Sequence, residues 1–173
     1  KSGIIANVVN GKASAASYAK NLEAEQTMYA QYNPDYMNAP FYTNHDMGRS
    51  AGYYVGENSA AQTKLGNALN LLMNGNAFLY YGEELGMKGS GKDENKRAPM
   101  YWSKDSNAEG MCKGPADMED FQMKFDSLEE QQEDPDSIYH YVKQVLRVRN
   151  QNPAIARGTT TYLEQYSGEQ CFA

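Results

Sequence analysis

The sequence is short of the residues that usually announce chemistry. Its 173 residues hold only two cysteines, two histidines and one tryptophan. Cys112 and Cys171 stand far apart and neither has a histidine beside it, so no spacing suited to zinc ligands is present. A count of two cysteines decides nothing about a disulfide. Positive charge is also scarce: 16 Lys and Arg face 22 Asp and Glu, for a net charge of -6. The longest acidic stretch, Asp117 to Asp136, has no matching basic cluster. That argues against nucleic acid or an anionic membrane surface as the partner, because both are bound through excess positive charge. No run approaches the roughly 20 apolar residues of a membrane span. The chain opens on Lys1, with neither Met nor a signal-like segment, and an internal or processed piece of a longer protein is expected.

What is present suits one folded domain. The length and the 40% hydrophobic content allow a real core. Tyrosine is frequent, with 14 residues; its flat ring and hydroxyl suit sugar contacts, although most such residues pack at a core's edge. From Ser14 to Tyr29 the chain is rich in helix formers, with Tyr18, Leu22 and Tyr29 roughly helically spaced, and Asn33-Pro34 closes that helix. A second helix follows the cap candidates Asn58 and Ser59, carries Leu65, Leu69, Leu72 and Met73 as its apolar stripe, and ends at Gly75. The third runs from Pro135 to about Asn150. Asp134 serves as its cap, Ile138, Tyr141, Val142, Val145 and Val148 form its stripe, and Arg147 and Arg149 suit its C-terminal end. Between the last two lies a long irregular stretch, from Gly86 to about Gln132, with helical hints only near Met118 to Leu128.

Two short apolar runs read as buried strands: Pro40 to Thr43, and Ala77-Phe78-Leu79-Tyr80-Tyr81 between Gly75 and Gly82. A helix separates them, so they form a crossover unit and should be parallel members of one sheet. Each ends in polar residues: Asn44-His45-Asp46 through Arg49 after the first, Glu83-Glu84 after the second. Parallel strands deliver both clusters to one rim, the rim that carries active sites in a (β/α)8 barrel.

These residues resemble glycoside hydrolase family 13, the α-amylase family. Phe41-Tyr42-Thr43-Asn44-His45-Asp46 is similar to the family's motif at the end of the seventh barrel strand. Gly75 to Glu84, followed by Gly86-Met87, is similar to the motif on the eighth. Asp93, Arg97, Pro99, Met100 and Trp102 resemble its sugar-binding loop, and the stretch from Asp134 to Ile155 its last barrel helix. The resemblance covers roughly residues 35–158, with the region before Pro34 expected around the sixth barrel helix. Ala77 departs from the pattern, which usually has Pro there.

The resemblance implies a partial (β/α)8 TIM barrel, its last strands and helices, over residues 1–158, and the start of a C-terminal β-domain over 159–173. It implies a retaining hydrolase of α-1,4-glucans such as starch and maltooligosaccharides. In such an enzyme one carboxylate attacks the anomeric carbon and one carboxylic acid protonates the leaving oxygen, about 5 Å apart. The family places both upstream of Lys1, and neither motif occurs in this chain, so the chain alone is expected to be inactive. Asp46 matches the third carboxylate, which stabilises the transition state. His45 matches the residue that hydrogen-bonds sugar hydroxyls at the cleavage point. Asp93 and Arg97 would clamp a glucose further away or form a solvated ion pair; Arg49 would pair with a site carboxylate or anchor the loop. Tyr80 and Tyr81 are read as mainly core, Glu83 and Glu84 as electrostatic support, and His140 as a surface residue. An α-glucosidase or transglycosylase of the same family, or a non-catalytic glucan-binding module, remain alternatives. The remaining expectations are no cofactor in this segment, calcium only in the complete enzyme, the remainder of the barrel as an obligatory folding partner, and an extracellular or cell-surface location.

Overall fold

The computed structural model describes residues 3–173. It opens with a short helix, α1 (Ile4–Val9), and continues with α2 (Ala15–Tyr32), which ends three residues beyond the Tyr29 that its apolar spacing predicts. Ser14 caps α2 by accepting a hydrogen bond from the Ser17 N–H at 3.1 Å. Tyr18 is buried beneath it and donates its hydroxyl to the Leu69 carbonyl at 2.5 Å. The next helices are α3 (Ser59–Leu71), α4 (Asp93–Lys96) and α5 (Leu128–Glu133). The chain closes with α6 (Ile138–Gln151) and α7 (Pro153–Arg157).

The two expected strands lie side by side and parallel, but contact is limited to a bridge between Phe41 and Phe78. Two main-chain bonds support it, from Phe78 N–H to the Pro40 carbonyl at 2.9 Å and from Asn76 N–H to the Asn38 carbonyl at 2.8 Å. No longer strand forms among the described residues, because each run lacks its second neighbour and Pro40 has no N–H to give. For the same reason neither run is buried throughout: Phe41 is 54% and Phe78 58% exposed.

Helix α3 packs against α6 through Ala68, Leu71, Ile138, Val142 and Val145. Each fully buried aliphatic side chain there contributes roughly 1.5–3 kcal/mol. The stripe expected on α3 is only partly right. Leu65 and Leu72 are exposed, while Thr63, Asn67 and Asn70 are buried. The amides explain this: Asn67 donates to the Thr63 and Glu83 carbonyls at 3.0 and 3.3 Å, and Asn70 to the Phe78 carbonyl at 3.2 Å. The helix therefore turns polar groups inward to serve backbone carbonyls, its own and those of the second strand and its end.

Helix α6 is capped by Ser137, whose hydroxyl accepts from the His140 N–H at 3.2 Å, while Asp134 caps the preceding turn instead, accepting from Asp136 N–H at 2.9 Å. Val148, expected in its stripe, is exposed. Arg149 is buried and reaches across to the C-terminal end of α3. It donates to the carbonyls of Leu71 at 2.7 Å, Met73 at 2.5 Å and Gly75. The first is an acceptor that the end of α3 leaves unpaired and the other two belong to the turn after it, so one side chain closes the exit of a neighbouring helix.

The irregular stretch after residue 86 carries α4 but no helix over 118–127. It folds onto a small core of its own, where Leu85, Met87 and Ala98 are covered by Met100, Met118 and Phe121. Residues 159–173 hold a single 3-10 turn (Glu164–Tyr166) and no strand. The N–H groups of Thr160 and Tyr162 find α2 instead, donating to Gln26 Oε1 at 2.9 Å and Glu23 Oε1 at 3.2 Å. Both cysteines are free and exposed.

Candidate active site

Asn44 makes the turn that displays its neighbours. Its side-chain oxygen accepts from the Asp46 N–H at 2.9 Å, and its carbonyl accepts from the Met47 N–H at 3.2 Å. His45 and Asp46 are thereby pushed into solvent, with side chains 61% and 69% exposed. Asp46 receives a cationic or polar partner on each oxygen, His45 Nε2 at 3.5 Å from Oδ2 and Arg97 Nη2 at 4.0 Å from Oδ1. Exposed pairs of this kind add little to stability. Their geometry matters more: a carboxylate, an imidazole and a guanidinium converge on one open patch at the strand ends.

Arg97 owes its place to α4, since its Nη1 donates to the Asp93 main-chain carbonyl at 2.7 Å. The Asp93 carboxylate turns elsewhere, to Lys96 Nζ at 2.9 Å. The Lys96 hydrogen bond and charge hold that carboxyl below the ordinary carboxylate range, with smaller help from Arg97 and His45. Among the described residues Asp93 and Arg97 are thus linked through backbone rather than as an ion pair of side chains. Lys96, which the spacing did not single out, takes the carboxylate.

Arg49 lies beneath the patch and is fully buried. Of the two roles open to it, the contacts are those of an anchor. Nε donates to the Tyr81 carbonyl at 3.1 Å, Nη1 to the Lys88 carbonyl at 3.2 Å, and its guanidinium sits over the rings of Tyr80 and Tyr81 at 5.0 and 4.6 Å. Those two tyrosines are not core residues. They stand half-exposed at the rim, and their hydroxyls donate to the Lys96 carbonyl at 3.0 Å and the Ala98 carbonyl at 2.8 Å. Nothing in an apolar run of five residues signals that its last two members reach out to a loop.

Glu83 ties the two strand ends together. Its carboxylate accepts from Thr43 Oγ1 at 2.6 Å, from the Ser50 N–H at 2.9 Å and from the Ser50 hydroxyl. Burial pushes its carboxyl above the ordinary range, opposed by the Ser50 and Thr43 hydrogen bonds and the Arg49 charge. Glu84 donates nothing to the patch: it accepts from the Gly82 N–H at 2.8 Å, and burial raises its carboxyl too. His140 is on α6, away from this rim, and its ring meets the Gln132 carbonyl. Among the described residues no group of three or more His, Cys, Asp or Glu side chains could hold a metal ion, and no helix is long and apolar enough to cross a membrane.

The model of the α-amylase catalytic domain matches residues 6–158, nearly the whole chain. The chain belongs to the α-amylase family. It is 33% identical over 155 residues to the α-amylase SusG of Bacteroides thetaiotaomicron, an alignment covering 88% of this chain and 22% of that protein. It is 34% identical over 134 residues to the 4-α-glucanotransferase of Thermotoga maritima, covering 75% of this chain and 30% of that one. The structure of Amy13B from Eubacterium rectale superposes with a TM-score of 0.94 at 51% identity, covering 96% of this chain and 33% of that chain. The chain therefore spans between about a fifth and a third of these relatives, and its fold is part of a (β/α)8 barrel.

Proposed function

We propose that this chain is the closing portion of the catalytic barrel of a retaining glycoside hydrolase acting on α-1,4-glucans, starch or maltooligosaccharides. The observation that carries this reading is the convergence of His45 and Arg97 on Asp46, exposed where two parallel strands end. As the glycosidic bond breaks, positive charge develops at the sugar ring. A carboxylate fixed near that ring, bonded to its hydroxyls, stabilises the charge more than it stabilises the neutral substrate. Asp46 takes that part. His45 presents a ring N–H to hydroxyls of the same sugar, and Arg97 offers its fork of donors to a sugar further along. Asp93 contributes by holding Arg97, and Arg49 by anchoring the loop from below.

The nucleophile and the acid are assigned to sequence upstream of this chain, so the remainder of the barrel is its partner and the isolated chain is inactive. Residues 159–173, which hold no strand, are assigned to the start of a C-terminal β-domain by the resemblance alone. Calcium, where the complete enzyme holds it, is bound by residues outside this segment. A polymeric substrate places the enzyme outside the cell or on its surface.

The experiment is release of reducing ends from maltoheptaose by the complete protein and by its Asp46→Asn variant. A fall of about 10²–10³ in kcat is expected; unchanged turnover overturns the assignment. The kinship with a 4-α-glucanotransferase favours one second reading, transfer of glucan segments to another sugar rather than to water. Product analysis separates them, since transfer yields chains longer than the substrate. A binding module without catalysis would show no turnover in the complete protein, and glucan affinity that falls with Asp46→Asn.

A further inference from the structure

Beneath the exposed patch lies a buried assembly that nothing in the chemistry of sugar cleavage requires. Arg49 is fully buried, yet among the described residues no carboxylate forms an ion pair with it. Its charge is spread over two main-chain carbonyls and two tyrosine rings, and its Nη2 has no hydrogen-bond partner among the described residues. An arginine stacked on aromatic faces in a desolvated site is held by the ring quadrupoles as well as by its hydrogen bonds. Room has been left for it. A Cβ on Gly89, whose φ is 148°, would come within 2.7 Å of Arg49 Nη1 and 2.3 Å of the Asn95 carbonyl.

The stacked rings lead onward. The hydroxyl of Tyr80 is bonded to the carbonyl before Arg97 and that of Tyr81 to the carbonyl after it. Arg97 is thus suspended between two hydroxyl anchors whose rings lie against Arg49. Its own guanidinium then lies 4.0 Å from Asp46.

We propose that Arg49 is a positioning residue for substrate binding. It sets Tyr80 and Tyr81, which grip the loop on both sides of Arg97 and aim that side chain at the glucan, one sugar or more along from the one at Asp46. This inference rests on the function proposed above and extends it to a residue that never meets the substrate. A brace of this kind acts on affinity for the glucan more than on bond cleavage, because what it aims is a binding group.

The test uses the complete protein with maltoheptaose. Arg49→Met should raise KM about tenfold, equivalent to about 1.4 kcal/mol, with kcat changed by no more than about twofold. Tyr80→Phe combined with Tyr81→Phe keeps both rings against the guanidinium and removes only the grip on the loop. It should raise KM similarly with a Tm only slightly lowered, and it decides the matter if Arg49→Met does not fold. Combining either change with Arg97→Ala should add nothing to the effect of Arg97→Ala alone, since the three act through one side chain. An unchanged KM in the folded Tyr80→Phe/Tyr81→Phe protein, or effects that add to Arg97→Ala, overturns the proposal. Asp46→Asn, measured in parallel, separates the two claims. Activity that survives it overturns the assigned function, whereas activity lost there with KM unmoved in the tyrosine variant overturns only the brace.

Discussion

Two buried arginines serve opposite ends of the strand pair, and they are satisfied in opposite ways. Arg149 reaches the carbonyls around Gly75, before the second strand begins, and ends on three backbone oxygens, that of Leu71 at the end of α3 and those of Met73 and Gly75 in the turn after it. Arg49 reaches the carbonyls of Tyr81, at that strand's last residue, and of Lys88 beyond it, and leans on two aromatic rings. The first closes an account internal to the fold. The second is connected through tyrosine hydroxyls to an exposed loop and so to Arg97. In a (β/α)8 barrel the N-terminal face serves stability and the C-terminal face chemistry. Here the same residue type, equally hidden, falls on both sides of that division. Burial alone says nothing about which role an arginine has; what its contacts connect to does.

The comparison breaks most readily at Arg149. Arg149→Met leaves three carbonyls without their donor, and a stability loss of about 3 kcal/mol is expected, with KM for maltoheptaose unchanged in the protein that remains folded. Denaturant unfolding beside steady-state kinetics measures both, and a KM that moved with stability would erase the distinction. Gly89→Ala tests the other end without touching the arginine itself. The added methyl crowds Arg49 and the Asn95 carbonyl, so a several-fold rise in KM is expected, with a loss of about 1–3 kcal/mol from the strained backbone and overpacking.

Titration sharpens the contrast, because among the described residues only the Arg49 end has a buried carboxylate nearby. Glu83 has its carboxyl raised by burial, so the folded protein holds that proton at pH values where the unfolded chain has released it. Stability should therefore fall as pH rises from the ordinary carboxylate range through the raised value. Thermal unfolding of the complete protein and of Glu83→Gln between about pH 4 and pH 7 should show that slope in the first and a shallower one in the second. The smallest effect is expected at Leu65 on the solvent side of α3. Leu65→Gln should change stability by no more than about 0.5 kcal/mol, and a larger loss by denaturant unfolding would mean that this face is covered in the complete protein.

Much of this arrangement is legible in the sequence. Helices α2, α3 and α6 follow from their spacing, although Asp134 does not cap α6 and Asn58 makes no side-chain cap bond to α3, and the parallel pairing of Phe41 with Phe78 follows from a helix between two apolar runs. The cluster at Asn44, His45 and Asp46 stood out as ionisable residues bunched at a strand end. What could not be read were side chains that answer backbone groups far away in sequence. Asn67 and Asn70 occupy the inner face of α3 because carbonyls of the second strand region need donors, and Leu65 and Leu72 are displaced outward. Arg149 looked like a charge suited to the end of its own helix, yet it caps another. Hydrophobic periodicity contains no record of such debts, since the acceptor is a carbonyl that every residue carries. The strands themselves were over-read because their length depends on neighbours the chain does not contain.

The grip of Tyr80 and Tyr81 on the loop has a consequence for how specificity can diversify. Both hydroxyls take hold of main-chain carbonyls, at Lys96 and Ala98, and not of any side chain between them. A carbonyl is present whichever amino acid is encoded, so the attachment is indifferent to substitutions at position 97. On the proposed function, the side chain offered to the glucan can be exchanged while its mounting stays in place. A library randomised at that codon would sample new sugar preferences on an unaltered support, and recombination with a relative's loop of equal length would meet the same two hydroxyls.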